Sequence, residues 1–160
     1  MMEVTEAKFM NLAFEKALAG IRVGQSPFGA CVVQNEQVIS CAHNTVWESM
    51  DVTAHAEMNA IREACRALGV VDLSGCVIYC TSQPCPMCFA ACQKAGIERL
   101  VYSTRAEDTR RVGFGARATA EERVKTCLPD ACIEVVPDFL REQGLGVLEV
   151  WRTEGDGRIY

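Results

Sequence analysis

A compact apolar run, CVIYC at 76–80, leads into TSQPCPMC and then into a helix-length segment that closes at Gly96. A short apolar run bounded by turn-forming residues suits a buried strand. Proline at 86 suits the first turn of a helix, where its missing N–H has no partner to lose, and glycine suits the end. A strand that hands the chain to a helix is the building unit of layered α/β domains. This junction carries Cys85 at the predicted N-cap and Cys88 in the first helical turn.

The rest of the chain follows the same grammar. Met10, Ala13, Phe14, Ala17 and Leu18 fall on one stripe of a helix predicted over about Thr5 to Ala19, with Gly20 placed to end it. GACVVQ (29–34) and QVISCA (37–42) flank the turn Asn35-Glu36 as a hairpin. Met58, Ile61, Cys65 and Leu68 form the apolar stripe of a helix over about Ala54 to Leu68, stopped at Gly69. RLVYS (99–103) and CIEVV (132–136) read as two further strands. Between them, 104–131 is rich in glycine and charge, with one helix expected near 119–126. From Pro137, one or two short helices are expected, broken at Gly144 and Gly146. There is no repeat or linker, so the 160 residues read as a single α/β domain, 1–160, around a mixed sheet.

The net charge of -5 and pI of about 5.1 argue against a general electrostatic grip on nucleic acid. The densest basic stretch, Arg105 to Arg117, includes Glu107 and Asp108 and reads as a solvated mixed-charge surface. No apolar run is long enough to span a membrane, and the N-terminus lacks the basic start and apolar block of a signal peptide, so a cytoplasmic location is expected. A reducing compartment disfavours a disulfide framework for the ten cysteines. Cys31, Cys41, Cys65, Cys76, Cys80, Cys127 and Cys132 therefore read as small buried hydrophobes.

Cys85 and Cys88 differ because a helix N-terminus favours thiolates. A lone C-x-x-C serves metal binding or redox chemistry equally well. TAHAE (53–57) separates the two, because it places His55 and Glu57 at the start of the preceding helix. One imidazole and two thiolates make three zinc ligands, and a catalytic zinc site leaves its fourth position to water. Glu57 lies two residues from His55 and so off its helical face, where it is spared from the metal and available as a proton carrier. A closed structural zinc site would need His43 as a fourth ligand and would leave Glu57 without work. A thiol redox protein would use Cys85 and Cys88 alone.

H-A-E at 55–57 and P-C-P-M-C at 84–88 resemble the signature of the cytidine deaminase-like superfamily of zinc deaminases. PFGA (27–30), DVTAHAEMNAIREAC (51–65), Gly113-Phe114 and the ending Trp151 to Tyr160 are most similar to its guanine deaminase branch. The resemblance implies a three-layer α/β/α fold with a five-stranded mixed sheet and one Zn2+ per subunit. It implies hydrolytic deamination of a heterocyclic amine: water replaces the amine on a ring amidine carbon, Glu57 moves protons, and ammonia leaves. It also implies that Asn44 binds the base. Phe28 and Phe114 are expected to wall it, Ala56 to line the site, and Trp151 to pack rather than recognise. The family forms homodimers in which the C-terminal segment, here about 137–160, closes a neighbouring site, which would deliver Tyr160 in trans.

Two departures bear on the substrate. Gln83 stands where the family often has glutamate, which is expected to remove a hydrogen bond or a charge pairing. Ala116 stands where the guanine branch has an acid, and Arg117 follows it. Unpaired guanine donors would cost about 1–3 kcal/mol each, whereas Arg117 offers donors to a base that shows acceptors. The resemblance makes guanine the nominal substrate, and these departures make cytosine or an aminotriazine the nearest alternative, with tRNA adenosine further off.

Overall fold

A computed structural model of the chain describes residues 2–115 and 133–160. The elements run α1 Met2–Arg22, β1 Gly29–Gln34, β2 Gln37–His43, α2 Val46–Ser49, α3 Ala56–Leu68 and β3 Cys76–Ser82. They continue with α4 Pro86–Lys94, β4 Arg99–Thr104, α5 Ala106–Arg111, β5 Glu134–Val136 and α6 Arg141–Glu154. The sheet order is β2-β1-β3-β4-β5. β1 pairs antiparallel with β2 and β3, while β3–β4 and β4–β5 are parallel. The expected five-stranded mixed sheet is therefore present.

Alternation along the strands feeds two cores, because successive side chains point to opposite faces. Cys31, Val33, Tyr79 and Val101 pack against Phe9, Met10, Ala13 and Phe14 of α1 and Val147 and Trp151 of α6. Ala30, Val32, Ile78 and Leu100 point the other way, onto Ala60, Ile61 and Ala64 of α3 and Cys92 of α4. The three layers leave the starts of α3 and α4 on one face of the sheet, and that is where the site lies.

Several expectations are corrected. Helix α1 does not stop at Gly20; that residue is helical and lies so close to His43 that a Cβ would come within 3.2 Å of its ring. Gly144 does not break α6 either. A Cβ there would lie 2.8 Å from Thr104 Cγ2 and 3.1 Å from Ser103 Cβ, so the glycine permits close helix–strand packing. Gly146 is likewise helical, and one helix of 14 residues replaces the broken pair. Helices α2 and α5 were not foreseen.

Cys31 and Cys41 are not free hydrophobes. They stand directly opposite each other in the β1–β2 register, with Cα atoms 4.2 Å apart, and form a disulfide. Cys76 and Cys80 are buried thiols as expected, and Cys65 is half-buried. Cys127, Cys132 and the helix expected near 119–126 lie outside the described residues. Among the described residues no helix is long and apolar enough to cross a membrane.

Candidate active site

Two helix N-termini converge. His55 is the N-cap of α3 and Cys85 the N-cap of α4, both with extended backbones and neither using its side chain to cap the helix. Their side chains are thereby left for another partner. Cys88 Sγ lies 3.5 Å from His55 Nδ1, Cys85 Sγ lies 3.6 Å from it, and the two sulfurs are 3.6 Å apart. A tetrahedral zinc with Zn–S of about 2.3 Å and Zn–N of about 2.0 Å has edges of roughly 3.8 Å between sulfurs and roughly 3.5 Å between sulfur and nitrogen. The donor triangle fits that ion closely. His55, Cys85 and Cys88 form a candidate zinc site.

The electrostatics suit a cation. Cys85 is held down to about 4 by its hydrogen bond with Cys88, which outweighs burial, with further help from His55. Cys88 is pushed up by that same bond and by burial. Burial pulls the His55 imidazole down, but the hydrogen bond to Cys85 and the charges of Glu57 and Cys85 outweigh it and leave it raised. Glu57 is buried, its Oε2 3.5 Å from Cys88 Sγ, and burial pushes its carboxyl up against the lowering effect of His55. The carboxylate thus stands beside the donor triangle without being part of it.

A cavity of about 430 Å³ opens over these groups. Phe28, Asn44, His55, Glu57, Cys85, Phe114 and Tyr160 all line it. The Phe28 and Phe114 rings meet edge-on at 4.9 Å. Asn44 is fully buried; its Oδ1 accepts the Val46 N–H at 3.1 Å, and its Nδ2 donates to the Tyr160 hydroxyl. The Tyr160 ring sits 5.6 Å from that of His55. Arg158 anchors the tail, with its guanidinium 5.2 Å over Trp47 and an N–H to the Gly24 carbonyl at 3.0 Å. In the single chain Tyr160 thus lies against this cavity. Burial raises its phenol.

Other expectations separate cleanly. Ala56 does not line the cavity; it opens α3, and its methyl is wholly buried in the core. Trp151 is buried and packs 5.5 Å from Phe114, as expected of a packing residue. His43 hydrogen-bonds the Asn44 carbonyl at 2.7 Å and lines a different groove, so it is no fourth ligand. Ala116 and Arg117 lie outside the described residues.

The hydrogen bond feared lost at Gln83 is made. Its Oε1 accepts the Ala106 N–H at 3.0 Å, and an amide oxygen accepts as a carboxylate would. Sequence reasoning missed Ser82, Thr109 and Arg110 as lining residues. For the last two a signal existed: Asp108, three residues after Arg105, is the N3 acid of a short helix.

The chain matches known proteins along most of its length. A family model described as the cytidine and deoxycytidylate deaminase zinc-binding region matches residues 3–104. A tRNA-specific adenosine deaminase of Aquifex aeolicus is 44% identical over 59% of this chain, and the match spans 63% of that relative's own length. A guanine deaminase of Bacillus subtilis is 38% identical over 66% of this chain and 69% of its own. A solved guanine deaminase from Nitrosomonas europaea superposes with a TM-score of 0.79 at 25% identity, covering 91% of this chain and 83% of the other.

Proposed function

Because the chain belongs to the cytidine and deoxycytidylate deaminase zinc-binding family, we propose that this zinc-dependent deaminase acts on a free nucleobase or small nucleoside, nominally guanine. The products would be xanthine and ammonia. The observation that carries this reading is the cavity of about 430 Å³ with Tyr160 folded against it. That volume is near the lower end for small-molecule sites, which run from about 300 to 1,000 Å³.

His55, Cys85 and Cys88 would hold the metal. When bound, zinc supplies an activated water as the nucleophile. Among the described lining residues Glu57 alone carries a side-chain carboxylate, and its work is to hold and return protons as ammonia leaves. Phe28 and Phe114 wall the ring, and apolar walls keep bulk water from the reacting carbon. Asn44 and Tyr160 orient the ring's polar edge.

The likeness to the Aquifex aeolicus enzyme supports a second reading, deamination of adenosine in tRNA. The net charge of -5 weighs against it, because RNA binding leans on phosphate neutralisation. Cytosine and aminotriazines remain alternatives for the small-molecule reading. A homodimer in the cytoplasm completes the proposal.

The test is ammonia release by the zinc-loaded protein on guanine, guanosine, cytosine, cytidine, adenine, an aminotriazine and a tRNA anticodon stem-loop, with Glu57→Ala as the control. Turnover of a free base or nucleoside but not the stem-loop upholds the reading. Turnover of the stem-loop alone, with a steep salt dependence, replaces it with the second.

A further inference from the structure

Arg110 lines the same cavity as Glu57, His55 and Cys85, and the functional reading above gives it no work. Its mount is rigid. Helix α5 begins where the buried Asp108 carboxylate accepts the Arg105 N–H at 2.9 Å. Arg141 of α6 grips the same carboxylate through two hydrogen bonds from Nη2, at 2.7 and 2.9 Å. The Ala106 N–H is tied to Gln83, two residues before Cys85. At the other end the Phe114 N–H closes on the Thr109 carbonyl at 3.0 Å. Gly115 then approaches the Arg110 stem so closely, at φ +98°, that a Cβ there would lie 3.1 Å from Arg110 Cγ. A residue with a side chain at 115 would be strained and would crowd the stem.

The neighbouring arginines are engaged. Arg105 pairs with Asp138, and both Arg141 and, at 3.8 Å, Arg111 pair with Asp108. No ion pair or hydrogen bond holds the Arg110 guanidinium among the described residues. Arg110 is an exposed residue on the cavity wall whose guanidinium donors are unused, and among the described lining residues the one side-chain carboxylate is that of Glu57. Guanidinium only donates, and its planar fork matches an oxygen with in-plane lone pairs. On a free base such an oxygen is a ring carbonyl.

We propose that Arg110 is a specificity-determining residue that hydrogen-bonds a ring carbonyl oxygen of the substrate and so selects oxo-bearing amino-heterocycles over oxo-free ones. The proposal rests on the small-base reading above. It differs from the sequence expectation for Arg117 because it uses a residue placed at the cavity.

The test is calorimetric binding to zinc-loaded protein in a Glu57→Gln background, so that ligand is not consumed. Two ligand pairs differ in the carbonyl and the ring N–H that accompanies it: guanine with 2-aminopurine, and cytosine with 4-aminopyrimidine. With Arg110 present, the oxo-bearing member of the favoured pair binds at least tenfold tighter. Arg110→Ala abolishes that preference by weakening the oxo-bearing ligand and leaving its counterpart unchanged. Arg110→Lys restores part of it, because a point charge replaces the fork. A preference that survives Arg110→Ala, or an equal loss for both members, overturns the proposal while leaving the small-base reading intact. Failure of every base to bind when Arg110 is present, alongside binding of the tRNA stem-loop, overturns the small-base reading and this proposal with it.

Discussion

Gly29→Ala should destabilise the protein by wedging α1 off the sheet. Gly29 opens β1 and lies directly under α1, with its N–H donated to Thr81 Oγ1 at 3.0 Å. A Cβ built there lies 2.9 Å from the Ala17 nitrogen and 3.1 Å from the Ala13 carbonyl carbon, and it collides with the Ala13 carbonyl oxygen. All three atoms are helix backbone, so no side chain can rotate away. Either α1 or β1 must move, and both are packed through Phe9, Met10, Phe14 and Cys31. Overpacking of this kind costs about 1–3 kcal/mol, and a backbone obstacle puts this case near the upper end. At about 2–4 °C per kcal/mol for a domain of this size, the midpoint should fall by roughly 6–12 °C. Thermal unfolding followed by far-ultraviolet circular dichroism measures it. The zinc donors sit on the opposite face of the sheet, so zinc content at low temperature should stay as in the parent protein. A fall of less than about 2 °C would refute the packing argument.

Other outcomes follow from the site and its supports. Removing zinc with a chelator should abolish ammonia release and lower the unfolding midpoint, and zinc should restore both, because a ligand bound only by the folded state stabilises it. Cys88→Ala should lose zinc on dialysis, as read by metal analysis, since it removes one corner of the donor triangle. X-ray absorption of the zinc-loaded protein should give two sulfurs, one imidazole nitrogen and one light non-protein donor; a fourth protein ligand would contradict an open site. Asp108→Ala should cost about 2–4 kcal/mol, below the full loss for a buried pair because Arg141 is 34% exposed, and chemical denaturation would measure it. Deleting Tyr160 should raise KM more than it lowers kcat, because its hydroxyl and ring contribute contacts at the cavity rather than proton transfer.

The donor set was legible because its information is local. Cys85 and Cys88 sit one helical turn apart, His55 and Glu57 fall within three residues, and a helix start has a strong sequence signature. The hairpin and the strands β3, β4 and β5 were legible for the same reason. What escaped depends on which distant atoms meet. Gly20 and Gly144 read as stops, yet both serve close packing against His43 and Ser103. The Cys31–Cys41 pairing follows from the β1–β2 register, and composition carries no trace of register. Helix α5 was hidden in a stretch whose charge suggested only solvation, although Asp108 is buried there as the anchor between α5 and α6. Ala56 follows His55 in the motif, but its place in the helix turns it into the core.

The central claim is that Glu57 performs chemistry beside a metal held by three other residues. The most direct measurement is kcat on the preferred substrate for the parent protein and for Glu57→Gln, with zinc quantified in the same samples. The account predicts one zinc per chain in both and a kcat lower by about 10²–10⁴-fold in the variant, the range for loss of a general acid–base group. Full activity in the variant, or activity lost only because zinc is lost, would contradict it.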